Sequence, residues 1–214
     1  MRTTEAKSSP QENAQEPSLT TDRILEAAVE VLRRYGPGKA TVLDVARALG
    51  VSHGSVYRHF ASKAALRETV VRRWLDATMP PLTAIANEKA AATDRLKRWL
   101  DRLVATKRER ASADPELFAA YLTLAGEVDG VVRSHLQELR EQLAYIVADG
   151  VEQGELASDD PLSTARDILN ATVRFHNPVH AASWTDPERD AAYEGVWRLV
   201  LRGIAVPRPR PEEK

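Results

Sequence analysis

Residues 41–63, TVLDVARALGVSHGSVYRHFASK, constrain the fold more than any other stretch, because they hold two short helical patterns with a tight break between them. Thr41 is placed to cap the first helix, and Asp44 sits three residues on, in the first turn where a carboxylate suits the helix dipole. Val42, Val45, Ala46 and Leu49 then share one face at helical spacing. Gly50 follows the last apolar position, where a left-handed residue lets the chain leave a helix without a Cβ clash. Val51 keeps the turn packed inward. Ser52 can cap the second helix, with Val56, Tyr57 and Phe60 as its inward or half-inward residues.

The outer side of that second helix carries His53, Gly54, Ser55, Arg58 and His59, with Lys63 just beyond, and no carboxylate occurs from Ser52 to Lys63. Small, hydroxylated and cationic groups without an acid suit phosphates and base edges. An ordinary helical hairpin with a solvated polar face is the alternative, but solvated faces usually mix signs. The pattern therefore favours recognition of DNA.

The run from Ile24 to Leu66 resembles the N-terminal domain of the TetR family of bacterial repressors. The likeness lies in ILEAAVEVLRRYG, in T-x-x-D-V-A-x-x-L-G-V-S and in G-S-V-Y-R-H-F-x-S-K, whose Y-x-H-F-x-S-K ending is its most specific part. One departure is His53, where many relatives carry Lys or Arg. The resemblance implies an all-α protein with an N-terminal three-helix helix-turn-helix DNA-binding domain and a C-terminal helical ligand-binding and dimerisation domain. It also implies a homodimer, joined through its last two helices, that reads a two-fold operator in double-stranded DNA and is released by a small-molecule effector. On this reading Thr41, Ser52, Tyr57, His59 and Lys63 hold phosphates, while His53, Gly54, Ser55 and Arg58 face base edges, with Arg58 reading guanine.

Composition agrees once it is divided. The 214 residues are 43% hydrophobic and 29% charged with a net charge of −1, values of a globular chain rather than an obvious nucleic-acid binder. Residues 20–79, however, hold ten Lys/Arg against six Asp/Glu, and residues 80–214 hold eighteen against twenty-two. Positive potential thus gathers where phosphates would sit. No apolar run approaches the ~18 residues of a membrane span, and the N-terminus lacks a secretory h-region. Without cysteine there is no disulfide, thiolate nucleophile or thiolate zinc site. The expected compartment is the cytoplasm.

Residues 1–18 are polar and read as a disordered arm; 19–65 as the DNA-binding domain; 66–205 as the regulatory and dimerisation domain; 206–214 as a disordered tail. The first long helix, capped by Thr20 or Thr21, has Ile24, Leu25, Ala28, Val31, Leu32 and Tyr35 as its inward stripe and stops at Gly36-Pro37-Gly38. A fourth helix runs from Lys63 to Met79, where Pro80-Pro81 ends it, and its Arg67, Arg72 and Arg73 are candidate supports for phosphate contacts. Further helices are expected near 82–91, 94–111, from Asp114-Pro115, near 128–154 with Leu136 among the inward residues, from Asp160-Pro161 to about Pro178, and from Asp186 to Ile204.

A regulator needs an input. Trp99, Phe118, Tyr121, Arg174, His176 and Asn177 are the candidate ligand contacts, since apolar walls with a few polar groups make a small-molecule pocket. Aromatics at helical spacing are more often plain core, the competing reading for each. His176 and His180 stand four apart, but Pro178 lies between them and no third ligand follows, so no metal and no cofactor are expected. Catalysis is not indicated: there is no G-x-S-x-G elbow, glycine-rich phosphate loop or H-E-x-x-H, and Asp159-Asp160 read as a helix cap before Pro161. Two rival readings remain, a DNA-binding regulator whose input is another protein and an all-α enzyme or binding module that keeps the helical pair as packing.

Overall fold

The computed structural model describes residues 18–207. All but Ser18 of the expected arm, and all but Val206 and Pro207 of the expected tail, lie outside them. Helices make up the described chain, with no strand beyond one isolated antiparallel bridge between Leu156 and Ala205.

Helix α1 (Thr21–Lys39) begins where the Thr20 hydroxyl accepts the Arg23 N–H at 3.3 Å. It buries Ile24, Leu25, Ala28, Val31 and Leu32. Its regular backbone breaks at Gly36, with φ 72°, a value open to glycine, and one more turn through Pro37 reaches Lys39. Tyr35, expected in the buried stripe, is 43% exposed; it stands one residue before the break, with the Arg34 guanidinium 5.3 Å from its ring.

Helices α2 (Val42–Leu49) and α3 (His53–Tyr57) form the expected pair. α4 (Lys63–Asp76), capped by Ser62, ends three residues before its expected stop. Pro80 and Pro81 do not terminate it. They lie in the first turn of α5 (Met79–Ala86), where a missing N–H costs nothing. α6 (Ala92–Ala113) places Leu96, Trp99, Leu100 and Leu103 fully inside. α7 (Pro115–Ala125) is capped by Asp114, and α8 (Asp129–Glu152) ends before Gly154, φ 71°. Leu136, expected inward on α8, is 52% exposed.

The single helix expected from Asp160 to Pro178 is interrupted. Asp160 caps α9 (Pro161–Ala171), accepting the N–H groups of Leu162 and Ser163 at 3.0 and 3.2 Å. The helix then bends at buried Thr172, whose hydroxyl donates back to the Ile168 carbonyl at 2.8 Å. A short α10 (Val173–His176) and a 3-10 turn (Pro178–Ser183) follow, and α11 (Arg189–Ile204) closes the fold.

Two apolar cores result. The first joins α1 to α4 and takes in Tyr121 and Leu124 of α7 and Val131 of α8. The second fills the space among α5, α6, α8, α9, α10 and α11 around Trp99. α4 gives Leu66, Val70, Val71 and Leu75 to the first core, and α7 forms its floor. Two ion pairs tie this seam, Arg33 to Asp114 at 2.8 Å and Arg67 to Glu127 at 2.5 Å. No helix among the described residues is long and apolar enough to cross a membrane.

Candidate nucleic-acid interface

The local chemistry of residues 41–63 fixes the angle between α2 and α3. Thr41 and Asp44 form a reciprocal capping box: the Thr41 hydroxyl accepts the Asp44 N–H at 3.1 Å and donates to its carboxylate at 2.5 Å, which also accepts the Thr41 N–H at 3.1 Å. Gly50, at φ 68°, bonds back to Arg47, and the Val51 N–H reaches the Ala46 carbonyl at 3.0 Å. This paired closure ends α2 and turns the chain sharply. The Ser52 hydroxyl accepts the Ser55 N–H at 3.1 Å and starts α3. Val56 and Phe60 anchor α3 from below; the Phe60 N–H still reaches the Val56 carbonyl at 3.1 Å, so the turn winds on past Tyr57.

What faces outward is the acid-free set. His53, Gly54, Tyr57, Arg58, His59 and Lys63 are exposed, and Ser55 is half-buried. Two of them form a chain with the cap Ser52: the Ser52 and Ser55 hydroxyls lie 2.8 Å apart, and an Arg58 Nη donates to the Ser55 hydroxyl at 3.1 Å. That leaves the remaining Arg58 donors outward while the guanidinium is already oriented. His53 and Tyr57 meet edge to face, ring centroids 4.5 Å apart, and His59 Nδ1 lies 3.5 Å from the Thr21 hydroxyl. Among the described residues no carboxylate pairs with Arg58 or Lys63. Lys39 shares this property. It is exposed two residues ahead of the α2 cap, and its position before a cap is a signal that pattern reading passed over.

Two groups are otherwise engaged. The hydroxyl proton of Thr41 is spent on Asp44, so Thr41 sets the start of α2 before it can hold a phosphate. Arg67, Arg72 and Arg73, candidates for phosphate support, are paired within the protein: Arg67 inward to Glu127 and to the Pro37 carbonyl at 2.5 Å, Arg72 and Arg73 at the surface, to Glu68 at 2.8 Å and to Asp22 at 3.0 Å.

The six candidate ligand contacts do not converge. Trp99 is fully buried at mid-helix and donates its indole N–H to Gln142 at 2.9 Å. Phe118 and Tyr121 pack on Trp74 in the seam, Tyr121 stacked at 4.7 Å and Phe118 edge-on at 5.9 Å. Arg174 is exposed on α10, whose inward side is taken by Phe175 and His176, and its carbonyl accepts the Trp184 indole N–H at 3.0 Å. His176 and Asn177 alone of the six line a cavity of about 340 Å³ between α6, α8 and α9–α10. Lys107, His135 and Arg140 line it too, and sequence reading missed all three. Lys107 lies in a KRER run that reads as a solvated face, so only packing reveals its burial.

Comparison with known proteins bears on both halves. Residues 24–70 match the model described as bacterial regulatory proteins, tetR family, and residues 92–197 match a tetracyclin repressor-like C-terminal domain. The chain is similar to the HTH-type transcriptional repressor KstR2 of Rhodococcus jostii (strain RHA1), 28% identical over 196 residues that cover 86% of this chain and 90% of that one. It is 27% identical over 198 residues to the HTH-type transcriptional regulator RutR of Escherichia coli (strain K12), covering 87% and 90%. Among solved structures it is similar to SmeT, the repressor of the Stenotrophomonas maltophilia multidrug efflux pump SmeDEF, with a TM-score of 0.66, 18% identity, and 90% and 98% of the two chains covered.

Proposed function

The chain belongs to the TetR family of bacterial DNA-binding transcriptional regulators, and from that premise we propose that it is a homodimeric repressor which a small molecule releases from a two-fold operator. The acid-free face of α3 carries this reading. Arg58, oriented by Ser55, is the side chain suited to a bidentate contact with guanine O6 and N7, with His53, Gly54 and Ser55 beside it along the base edges. Ser52, Tyr57, His59 and Lys63 hold phosphates on either side, and Thr41 supports them by setting α2. A head that runs through α4, from Leu19 to Asp76, is the reading-unit that the shared core supports.

A recognition helix of five residues contacts only a few base pairs, so a specific site needs two heads on one frame. Leu162 on α9 and Leu199 on α11, the latter 69% exposed, support a dimer through these two helices. The cavity in the body supports the small-molecule input. An effector frees DNA only by favouring a head spacing that misfits the operator, and full release needs a preference near ~10⁴-fold between the two states. The place of work is the bacterial cytoplasm, where the chromosome is.

The test is a salt titration of operator affinity. Lys63→Ala should weaken binding to all sequences alike and lower the slope of log affinity against log salt by about one per head. An unchanged slope would remove Lys63 from the interface and contradict this docking of the head.

A further inference from the structure

An ammonium group withdrawn from water is costly unless an acid meets it. Lys107 on α6 is 4% exposed, and among the described residues no carboxylate and no hydrogen-bond acceptor takes its charge. Its ammonium lies 5.8 Å from the centroid of the Trp74 ring. Lys107 lines the 340 Å³ cavity together with His135 and His176, which are also buried. Among the described residues neither ring nitrogen of His135 has a hydrogen-bond partner, nor does Nε of Arg140, which lines the same space. His176 Nε2 lies 3.3 Å from the Leu169 carbonyl. Arg133 and Arg166 complete the lining's cations, Arg166 also pairing with Asp167 at 3.0 Å, and the lining itself contains no Asp or Glu.

Protonation sharpens the contrast. Burial, then the charges of Lys107 and Arg110, push His135 down to about 3. Burial foremost holds His176 at about 4, and burial with Arg110 draws Lys107 to about 8. At neutral pH the cavity thus offers the Lys107 ammonium beside neutral imidazoles, while the His135 N–H and the Arg140 Nε–H meet no acceptor among the described residues. Leu136, Leu139 and Val173 give the rest of the wall an apolar character.

We propose that this cavity takes an amphipathic organic monoanion, a carboxylate on a compact apolar skeleton, whose charged end is held by Lys107 with His135, beside the His176 ring, while the skeleton lies along Leu136, Leu139 and Val173. One buried ammonium balances one negative charge, and a volume near the lower end of ligand pockets suits a compact molecule. The assignment rests on reading the body as the effector domain. An anion there also competes with Trp74 for Lys107, which links the site to α4 and so to the head.

The experiment uses the full-length protein with 4-phenylbutyrate and octanoate as probes, each paired with its neutral alcohol, measured by calorimetry and by release of operator DNA. The acids should bind at least ~10-fold more tightly than the alcohols. Lys107→Met should weaken acid binding about 10–100-fold and leave alcohol binding unchanged. In the wild-type protein the acids, and not the alcohols, should shift the ring resonances of His135 and His176, a readout independent of how well the variant folds. Equal affinity for acid and alcohol, acid binding untouched by Lys107→Met, or no binding of either acid would each overturn the proposal. Lys107-dependent acid binding that leaves operator affinity unchanged would uphold the site and refute the effector reading; release by the alcohols alone would do the reverse.

Discussion

A base-reading side chain is useful in proportion to how little freedom it must give up on binding, and Arg58 meets that condition through its bond to Ser55. The residues of this face were legible because the absence of acids from Ser52 to Lys63 is a property of the linear chain. The cavity residues were not, because burial of Lys107 and His135 depends on how α6 and α8 pack, and a charged run gives no hint of it. Their burial has a measurable consequence. His135 and His176 titrate near 6.5 in an unfolded chain but are lowered to about 3 and about 4 in the native one. Between pH 6.5 and 4 the unfolded state therefore binds more protons, and stability falls as pH falls, with a slope approaching about 1.4 kcal/mol per pH unit for each group. Urea unfolding at pH 7 and pH 5 should show this drop, and His135→Leu should remove about half of it. A midpoint that does not move between these pH values would mean that the imidazoles are not buried neutral.

Among the elements, α4 carries the weight of any communication between head and body. Its first turns complete the head's core, and Arg67 pins it to the turn between α7 and α8 through Glu127 and to the last turn of α1 through the Pro37 carbonyl. Its last turn presents Trp74, stacked on Tyr121 and flanked by Lys107 and Arg110, each 5.8 Å from the ring, while Arg110 also donates to the Trp74 carbonyl at 2.7 Å. Replacing Trp74 with Leu should leave acid binding within about threefold of wild type yet reduce the acid-induced loss of operator affinity by roughly fivefold, a loss of about 1 kcal/mol of coupling. Calorimetry and DNA titration of the same sample separate the two effects, and an unaltered operator response would place the coupling elsewhere. Most helices were legible from their apolar period and their caps, Thr20, Thr41, Ser52, Asp114 and Asp160. Boundaries set by the environment were not. Pro80-Pro81 serves equally well as a stop or as a first turn, and the choice fell to α5 packing on α6. The bend at Thr172 arises from a side-chain bond to its own helix that sequence period does not register.

For the whole molecule the claim is that two heads are held on one frame. Leu199, exposed in the single chain, lies on α11, and Leu162 is exposed on α9. Leu199→Arg should shift the protein from dimer to monomer in sedimentation and weaken operator binding by more than ~100-fold, since a lone head keeps only part of the contacts. A dimer that survived the change would move the interface off this face. The charge asymmetry between residues 20–79 and the remainder was visible in the sequence. How α7 serves the head's core was not, because α7 follows α4 by some fifty residues and α1 by some ninety.

The central claim, that the acid-free face of α3 enters the major groove in two symmetric copies, is tested most directly by sequencing genomic DNA fragments captured in parallel by the wild-type protein and by Arg58→Ala. The wild-type protein should enrich a two-fold symmetric site, and Arg58→Ala should bind it about 1–3 kcal/mol more weakly and lose its preference at one guanine in each half. An asymmetric or absent consensus for the wild-type protein, or an identical consensus and affinity for Arg58→Ala, would contradict it.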